Sequence, residues 1–418
     1  PMAAGQDNWK DHCATQIANQ NGGDGLSKER AIEIATAKEL AYFAQQVNSN
    51  QSIQLGNLSV IKPEGERRGF KDYYFALSSD IDLSDHYWTP IGSGPNPFRG
   101  HFDGCNHEVR GLVVSVEQDA GIVYAGLFGY LYDGATIRNL GIRLGEGGVK
   151  ATLTADYGQD RVSIAYAGGL AGYLNKGSIS NCYVEGDACV MATSPKNAYA
   201  GGLVGLVLNE TTITHCYTTV NVGTGGLQKD SCNAGGIVGR FSSNGEISYT
   251  YATGTVDAEN ANYVGGICGY SSGRITNSLA LNTKINGLNA GRIAGNGKGV
   301  IFASNYASPW VQLSGQTFPD NQVANPNGAN TSLDSFEDDL KNGDPSSGWA
   351  SNWTFDSGKL PKLKDMGGTP PDAAPYFLPK HTLRIVSPTG GTLKVTDKDG
   401  NKLSDGSKIV SGTLLTLS

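Results

Sequence analysis

Short apolar runs separated by glycine-rich and asparagine-rich turns recur through the middle of this 418-residue chain. Most copies combine a Gly-Gly-aliphatic-x-Gly stretch with a later Ile-x-Asn-Cys-Tyr-like stretch, as in the copy that begins at Gly168. Periods near 30 to 40 residues are typical of stacked arrays, in which each unit buries its apolar face against its neighbours. The aligned apolar position lies at Leu127, Leu170, Leu203, Ile237, Ile267 and Ile293, and the repeat is longest between the first two of these.

The runs within each copy have the length and composition of β-strands. They are four to six residues long, contain Ile, Val, Tyr and Thr, and are too rich in glycine for helices. Between residues 125 and 308 the apolar residues do not follow the 3.6-residue period that helical repeats need. The pattern therefore predicts an all-β solenoid of stacked coils.

Aligning the copies places equivalent residues in columns. An aliphatic column would stack at about 4.8 Å along the axis as an interior ladder, and three residues later a column of mostly small residues includes Cys182 and Cys216. A third column of polar residues would form a turn, with side-chain amides bonding along the axis, and the paired glycines mark corners that need φ > 0 or a missing Cβ. The aliphatic column is Ile137, Ile179, Ile213, Ile247 and Ile275, and the turn column is Asn139, Asn181, His215, Tyr249 and Asn277.

A solenoid exposes strand edges at both ends, and the sequence offers a cap for each. Ala31–Ile34 is predicted to be an edge strand, and Thr36 and Glu39 form a capping box at the start of one amphipathic helix. On the other side, Leu333–Lys341 is predicted to be a short helix, and Gly348–Lys364 a closing coil or cap.

These repeats resemble the bacterial GLUG-motif surface proteins, named for Gly-Leu-aliphatic-Gly repeats. The resemblance covers roughly residues 30–365 and includes a leading coil, Tyr74–Val113. It implies a right-handed parallel β-helix of the kind found in cell-surface adhesins and in the non-catalytic part of some surface peptidases, and it brings no catalytic residues. Arg292 replaces the second glycine of the last copy, as expected of an atypical terminal repeat.

Composition divides the chain into four predicted parts. Residues 1–30 form an N-terminal segment, 31–365 the capped β-helix, and 366–380 a proline-rich linker that would act as a stiff spacer. Residues 381–418 alternate strand-like runs with hairpin turns and resemble the small β-repeat modules of bacterial surface proteins. This last module is short for an independent core, so it is either truncated or pairs with something else.

Charge and hydropathy exclude two classes of partner. The net charge of −7 with scattered Lys and Arg disfavours nucleic acid, and no apolar run is long enough for membrane insertion.

The start of the chain and its cysteines bear on where the protein is found. The chain starts at Pro1 without a signal sequence, which suggests a trimmed, secreted form at the cell surface. Among seven cysteines, Cys182 and Cys216 occupy adjacent coils, but their parallel side chains suit a disulfide badly, so buried thiols are favoured.

The densest polar cluster of the sequence, residues 80–107, offers two possible metal sites. His101, Asp103 and His107 are suitable ligands for zinc or manganese, and the second site is a Ca²⁺ site at Asp80, Asp82 and Asp85. Turn roles, in which Asp side chains bond the nearby backbone, explain these residues better. We therefore predict no metal site and no cofactor.

Parallel β-helices include polysaccharide lyases and glycosidases, which need convergent carboxylates or a basic residue beside acidic Ca²⁺ ligands. The carboxylates of residues 165–308 occupy different repeat offsets, and no hydrolase, zinc-protease or nucleotide-binding motif is present. We predict no catalytic residues, and a carbohydrate-active enzyme stays an alternative. The carboxylates are Glu185, Asp187, Glu210, Asp230, Glu246, Asp257 and Glu259.

Recurrent aromatic residues have two possible roles. Tyr183, Tyr217 and Tyr251 recur at one position of successive repeats and could stack sugar rings, but packing along one wall of the coil is favoured. Near the C-terminal end the tryptophans are more often part of a core than a binding platform. These tryptophans are Trp310, Trp349 and Trp353.

The favoured function is extracellular adhesion or recognition, with a glycan or a host or matrix protein bound to one side of the solenoid. Contacts are expected from the longest inter-repeat segments, Arg143–Arg161 and Asp187–Asn197, because connecting loops commonly carry function. Exchanging these segments is expected to abolish binding without changing thermal stability. A structural stalk that binds nothing, and a β-helix lyase or glycosidase, are the alternatives.

Overall fold

A computed structural model of this protein describes residues 7–56, 59–155, 162–225, 231–297, 299–309, 311–314, 325–330, 348–356, 358–373, 376, 380–385, 393–396, 402–410 and 415–417. Across these ranges the chain winds into stacked coils of parallel strands. The predicted all-β parallel β-helix is confirmed. No helix of the described residues is long and apolar enough to cross a membrane.

Two parallel sheets run along the coil stack. The six-stranded sheet contains the strand that precedes each glycine corner: Gly121–Ala125, Ser163–Gly168, Asn197–Gly201, Ser231–Gly235, Tyr263–Gly265 and Ala290–Gly291. The remaining strands of the coils form a 21-stranded sheet: Ile32–Ile34, Tyr74–Leu77, Ile81–Asp82, His101–Asp103, Glu108–Gln118, Phe128–Leu153, Ala171–Glu185, Cys189–Thr193, Val204–Thr218, Asn221–Gly225, Val238–Ser242, Glu246–Ala252, Val256–Asp257, Cys268–Ser271, Arg274–Thr276, Leu279–Ala280, Lys284–Asn286, Ile301–Ala303, Tyr306–Ala307, Gln312–Leu313 and Ala329–Asn330.

The predicted aliphatic column is the interior ladder of the coils. Ile179 is in register with Ile137 and Ile213, the register continues through Ile247 to Ile275, and all five are at most 1% exposed. In the neighbouring column the thiols of Cys182 and Cys216 are buried and form no disulfide. Burial raises the pKa of the Cys182 thiol, so it acts as a small apolar group.

The turn column is a row of left-handed residues. Asn139, Asn181, His215, Tyr249 and Asn277 all have φ between 49° and 53°, a conformation that asparagine adopts more readily than most residues. The amides bond along the axis as predicted, because Asn181 Nδ2 donates to Asn139 Oδ1 at 3.3 Å. Each coil therefore turns at the same point by the same backbone device.

The paired glycines serve a different purpose from the turn column. A Cβ at Gly201 would lie 2.0 Å from the Val204 carbonyl oxygen, and one at Gly202 would lie 2.1 Å from that of Gly236. Neither glycine has a positive φ. Of the two reasons predicted for glycine here, close backbone approach is correct and positive φ is wrong, because the left-handed bend occurs at the turn column instead.

An N-terminal cap closes one end of the stack. Its helix, Ala37–Ser49, begins with the predicted capping box, in which Glu39 N–H donates to Thr36 Oγ1 at 3.2 Å and Thr36 N–H donates to Glu39 Oε2 at 3.1 Å. The Phe43 ring lies 4.5 Å from that of Phe75 in the first coil. The predicted edge strand pairs in parallel with that coil as Ile32–Ile34. The other cap elements are the antiparallel strands Ile53–Leu55 and Ser59–Ile61 and the 3₁₀ turns Trp9–Asp11, Lys28–Arg30 and Gly65–Phe70.

The N-terminal segment, set apart in the sequence as residues 1–30, is part of this cap over its described residues. Trp9 and Ile17 are buried in the same core as the coil ladders. The Trp9 indole Nε1 donates to the Leu83 carbonyl oxygen at 3.1 Å, which ties the segment to the first coil.

Residues 348–356 and 358–373 form what we call the covering segment. It contains the helix Gly348–Asn352 and the antiparallel strands Trp353–Thr354 and Lys362–Leu363. The prediction of a closing coil or end cap is wrong, because these residues lie along the side of successive coils, where their apolar side chains cover a column of tyrosines and, one coil further, Leu279. Residues 366–373, predicted to belong to a spacer, also pack here, since Met366 and Ala373 are buried in this cluster.

Beyond the covering segment the described strands are antiparallel. Lys380–Thr382 pairs with Lys408–Val410, and Val395–Thr396 pairs with both Lys402–Leu403 and Thr416–Leu417. The resemblance of this region to a β-repeat module stays a prediction. The helix predicted at Leu333–Lys341 and the side chain of Trp310 lie outside the described residues.

Candidate functional site

Two columns of mostly tyrosine side chains lie on the outside of the coil stack, one on each side of the glycine corners. In the first, Tyr166 is in register with Tyr124 and Tyr199, and in the second, Tyr173 is in register with Tyr130. We call these ten residues the outer tyrosine surface. They are Tyr124, Tyr166, Tyr199, Asn233 and Tyr263 in the first column and Tyr130, Tyr173, Leu206, Arg240 and Tyr270 in the second.

The alternation of the strands sends these side chains outward. In the strand Ser163–Gly168, Ala165 and Ala167 belong to the coil core, so Tyr166 between them points to the opposite face. At the corner a Cβ on Gly172 would lie 3.0 Å from the Ala125 backbone nitrogen, so the two flanking strands come very close. The outer faces of these strands therefore converge, and Tyr166 and Tyr173 meet with ring centroids 5.3 Å apart.

The rings stack along the solenoid axis. Centroid distances are 5.4 Å for Tyr124–Tyr166, 5.6 Å for Tyr166–Tyr199 and 4.5 Å for Tyr130–Tyr173, close to the spacing of about 4.8 Å between paired strands. Since the rings from Tyr124 to Tyr199 lie face to face with their neighbours, this part of the surface presents mainly ring edges and hydroxyl groups. Burial raises the pKa of Tyr124 to about 12.

Arg240 places a positive charge within the aromatic surface. Its guanidinium carbon lies 5.7 Å from the Tyr199 ring centroid and 5.1 Å from that of Tyr270, in the range of cation–π interactions. Its Nε donates to Ser242 Oγ at 2.9 Å, which fixes the orientation of the group. The surface therefore combines aromatic edges, hydroxyl groups and one held cation.

A cleft of about 610 Å³ adjoins the N-terminal end of the surface. Tyr124 lines it and belongs to the edge strand of the six-stranded sheet, so the first tyrosine column ends at the cleft. Pro90 and Pro95 form part of its wall, together with Ile122, which is 38% exposed. A ligand lying along the columns could continue into this cleft.

Sequence reasoning missed the outer tyrosine surface, although a signal for it exists. Tyrosines flank the glycine corner six or seven residues apart in three repeats, as in Tyr166 and Tyr173. The other two pairs are Tyr124 with Tyr130 and Tyr263 with Tyr270. Within a strand solenoid, such a pair spans the corner and reaches the outer face of both strands.

The tyrosine column that the sequence did single out is buried. Tyr183, Tyr217 and Tyr251 are at most 1% exposed and stack at 5.2 and 4.8 Å. Trp349 and Trp353 of the covering segment pack in the same cluster, with the Trp353 centroid 5.6 Å from that of Tyr251. Packing along one wall is thus the correct interpretation of these tyrosines, and stacking of sugar rings on them is wrong.

Two buried glutamates hold the end of this inner column. Tyr183 donates to Glu108 Oε2 and Tyr217 to Glu185 Oε1, both at 2.6 Å, and Arg143 Nη2 bonds both carboxylates at 3.3 and 2.8 Å. Burial alone would raise the pKa of Glu108, but hydrogen bonds from Tyr183, Arg110 and Arg143 lower it. Thr369 of the covering segment donates its N–H to Glu185 Oε1 at 2.8 Å. This carboxylate pair fastens the covering segment and is unsuited to act as a general acid.

The structure does not bring His101, Asp103 and His107 together. His101 Nδ1 bonds Thr136 Oγ1 at 2.8 Å, Asp103 pairs with Arg138 Nη2 at 2.7 Å, and His107 Nδ1 lies 3.3 Å from Asp80 Oδ1. The predicted turn roles are present, since Asp103 Oδ1 accepts the Cys105 N–H and Asp82 Oδ1 accepts the Ser84 N–H, both at 2.9 Å. A different polar group, Asp7, His12 and His86, does converge.

The two segments predicted to be ligand-binding loops are largely strands. Residues 143–153 continue the strand Phe128–Leu153, and Cys189–Thr193 pairs in parallel with that strand and with Asn221–Gly225. Their backbone is committed to the sheet, so the loop assignment is wrong for these residues. Residues 156–161 lie outside the described residues.

Comparison with known proteins supports the motif and the fold. The family model described as the GLUG motif matches residues 164–188, which carry Tyr166 and Tyr173 of the outer surface and Tyr183 of the inner column. A crystal structure of a Bacteroides ovatus protein, provisionally described as an immunoglobulin A1 protease, is similar with a TM-score of 0.59 and 22% identity, covering 82% of this chain and 95% of that one. At this identity the likeness shows the fold alone. No curated protein matches the sequence.

Proposed function

We propose that this protein is an extracellular recognition module that binds a carbohydrate chain along its outer tyrosine surface. The observation that carries the proposal is the pair of outer columns, over which the described residues place no counterpart of the covering segment. Tyr166 and Tyr199 at the centre of the first column are 6% exposed, and Tyr124, Tyr173 and Tyr270 beside them are half-buried, so a ligand would meet mainly the flanking rings. Both columns are built on paired strands, so the surface is rigid and loses little conformational entropy when a ligand binds.

The chemistry of the surface favours a carbohydrate ligand. A glycan presents many hydroxyl groups beside apolar C–H faces, and the surface presents tyrosine hydroxyls beside aromatic edges. The first column, from Tyr124 to Tyr263, spans four coil-to-coil steps, or roughly 19 Å at about 4.8 Å each. That length suits several units of a chain rather than a single small molecule.

An enzymatic role has less support from the described residues. The description of the similar B. ovatus structure raises the possibility of proteolysis, yet the buried carboxylates Glu108 and Glu185 are held by arginine and tyrosine beneath the covering segment. The columns offer aromatic and hydroxyl groups, which recognise a chain without cleaving it. Recognition is therefore the function that the geometry supports best.

A glycan array followed by titration of the best ligand tests the proposal. Tyr173→Ala and Arg240→Ala should each weaken binding about tenfold or more, equivalent to roughly 1.4 kcal/mol, because each removes part of the contact surface. The matched control is Tyr74→Ala, since Tyr74 is also partly exposed but stacks on His101 in the first coil, away from the columns.

The outcomes separate the alternatives. Binding that depends on Tyr173 and Arg240 but not on Tyr74 supports the proposal. Saturable binding to a matrix protein that depends on Tyr173 and Arg240 but not on Tyr74 would support the same binding surface and identify its ligand as a protein instead of a glycan. A blank array and unchanged affinity in both column variants would reject it and favour a structural stalk.

A further inference from the structure

Three side chains distant in sequence meet where the N-terminal segment crosses the first coil. His12 Nε2 lies 2.7 Å from Asp7 Oδ2, and His86 Nδ1 lies 2.5 Å from Asp7 Oδ1. The two imidazole rings stack with centroids 4.0 Å apart and an interplanar angle of 10°. Two imidazole nitrogens and a carboxylate thus face one another, with all candidate ligand atoms within 4.8 Å.

The backbone holds these side chains in place. Trp9 N–H donates to the Tyr87 carbonyl oxygen at 2.9 Å, and Tyr87 N–H donates to that of Asp7 at 3.0 Å, so Asp7 and His86 lie on neighbouring chain segments. The 3₁₀ turn Trp9–Asp11 then returns the chain, and His12 N–H closes it by donating to the Trp9 carbonyl oxygen at 3.0 Å. Buried Trp9 anchors the turn, which makes the arrangement preorganised.

The donor set and its spacing suit a transition metal. In a tetrahedral zinc site with bonds of about 2.0–2.1 Å, neighbouring ligand atoms lie about 3.3 Å apart. A separation of these side chains, with the two nearly parallel rings tilting so that both nitrogens point at one centre, would admit the ion. The His86 Nδ1 atom is buried and, although close to Asp7, lacks the alignment of a hydrogen bond. Coordination to a metal would satisfy this nitrogen, and three protein ligands would leave one position for water.

We propose that Asp7, His12 and His86 bind one divalent transition-metal ion of the zinc class, which fastens the N-terminal segment to the first coil. This site lies on the cap and does not depend on the carbohydrate proposal. Its role is structural, since it joins two chain segments that lie far apart in the sequence, one carrying Asp7 and His12 and the other His86.

Calorimetric titration of the untagged, chelator-treated chain with ZnCl₂ tests the proposal. We expect saturable binding of one ion per chain and slower tryptic cleavage after Lys10, an exposed residue of the 3₁₀ turn. Loss of an outer-shell partner of a metal ligand already costs about 10- to 100-fold in affinity, so His12→Ala and His86→Ala should each cost at least about 100-fold. His101→Ala, in the first coil but outside the group, is the matched control.

Cobalt(II) substitution tests directly whether the two histidines bind the metal or only pack against the N-terminal segment. Visible absorption of four-coordinate cobalt should appear in the wild-type chain and in His101→Ala, and should be lost in His12→Ala and His86→Ala while their circular dichroism stays unchanged. Absence of saturable zinc binding to the wild-type chain, or equal zinc affinity in the His12 and His86 variants, would overturn the proposal.

Discussion

The coils carry two sets of stacked tyrosines that differ in what lies over them. The inner column of Tyr183, Tyr217 and Tyr251 is sealed by the covering segment, and its hydroxyls bond Glu108, Glu185 and the Pro361 carbonyl oxygen. The outer tyrosine surface is built by the same repeats, but no covering segment lies over it among the described residues: Tyr124 and Tyr173 are half-buried, and Tyr166 keeps 6% exposure. Stacking at the strand spacing is therefore a product of the repeat, whereas complete burial is decided by what the rest of the chain supplies.

The largest expected effect is the difference in stability lost when a tyrosine of the inner column or of the outer column is replaced by alanine. Tyr217→Ala should lower the free energy of unfolding by roughly 3–5 kcal/mol, because it removes a fully buried ring and leaves Glu185 without its hydroxyl partner. Tyr173→Ala, in the partly exposed outer column, should cost about 1 kcal/mol. Denaturant unfolding measures both, and equal losses would break the distinction drawn between the columns.

A smaller loss of stability is expected from adding a methyl group at Gly141, where the inner column begins. Gly141 is in register with Tyr183, and a Cβ there would lie 2.3 Å from the ring carbon that bears the hydroxyl. Gly141→Ala should therefore displace the ring and cost about 1–3 kcal/mol. Gly94→Ala is the matched control, since the nearest atom to its Cβ would be the Tyr124 hydroxyl at 3.5 Å. Equal thermal melting of the two variants would contradict tight packing over Gly141.

The smallest effect concerns the charges beside the outer surface. Hydrogen bonds from Arg99 and Lys71 lower the pKa of Asp133 from 3.8 to about 2. Because the folded pKa lies below the unfolded one, the resulting stability is present above about pH 4 and is lost as the pH falls toward 2. The carboxylate is partly solvated, so the contribution is at most about 1 kcal/mol.

Asp133→Asn should remove that pH dependence with little change of backbone, since asparagine also tolerates the positive φ of 44° at this position. Acid unfolding followed by circular dichroism compares the slopes between pH 4 and 2. An unchanged slope in the variant would show that Asp133 is not the group that titrates.

Much of the fold follows from the sequence because it depends on period. The isoleucine ladder, the amide ladder at Asn139 and Asn181, and the capping box at Thr36 and Glu39 each arise from residues at fixed spacing. The glycine corners were only half predicted, since spacing reveals that glycine is needed but not whether φ or a missing Cβ is the reason.

Which tyrosines are covered was harder to predict, because covering depends on contacts that have no period. Nothing near Tyr183 indicates that Trp353, which lies several repeats further along the chain, seals its column. Likewise Asp7 and His86 meet only because the N-terminal segment pairs with Tyr87. The long segments taken for loops pair as strands, because a polar composition does not reveal whether a neighbouring coil offers backbone partners.

The covering segment also constrains how many coils the repeat array can gain or lose beneath it. It is tied to Glu185 through Thr369 and packs Trp353 on Tyr251, and Leu279 of the next coil is buried in the same cluster. Because one stretch of chain contacts at least four successive coils, duplication or deletion of a coil beneath it would move Thr369 and Trp353 out of register with their partners. Gain or loss of coils elsewhere would leave these contacts in place, so we expect the number of coils to vary outside the covered part of the stack.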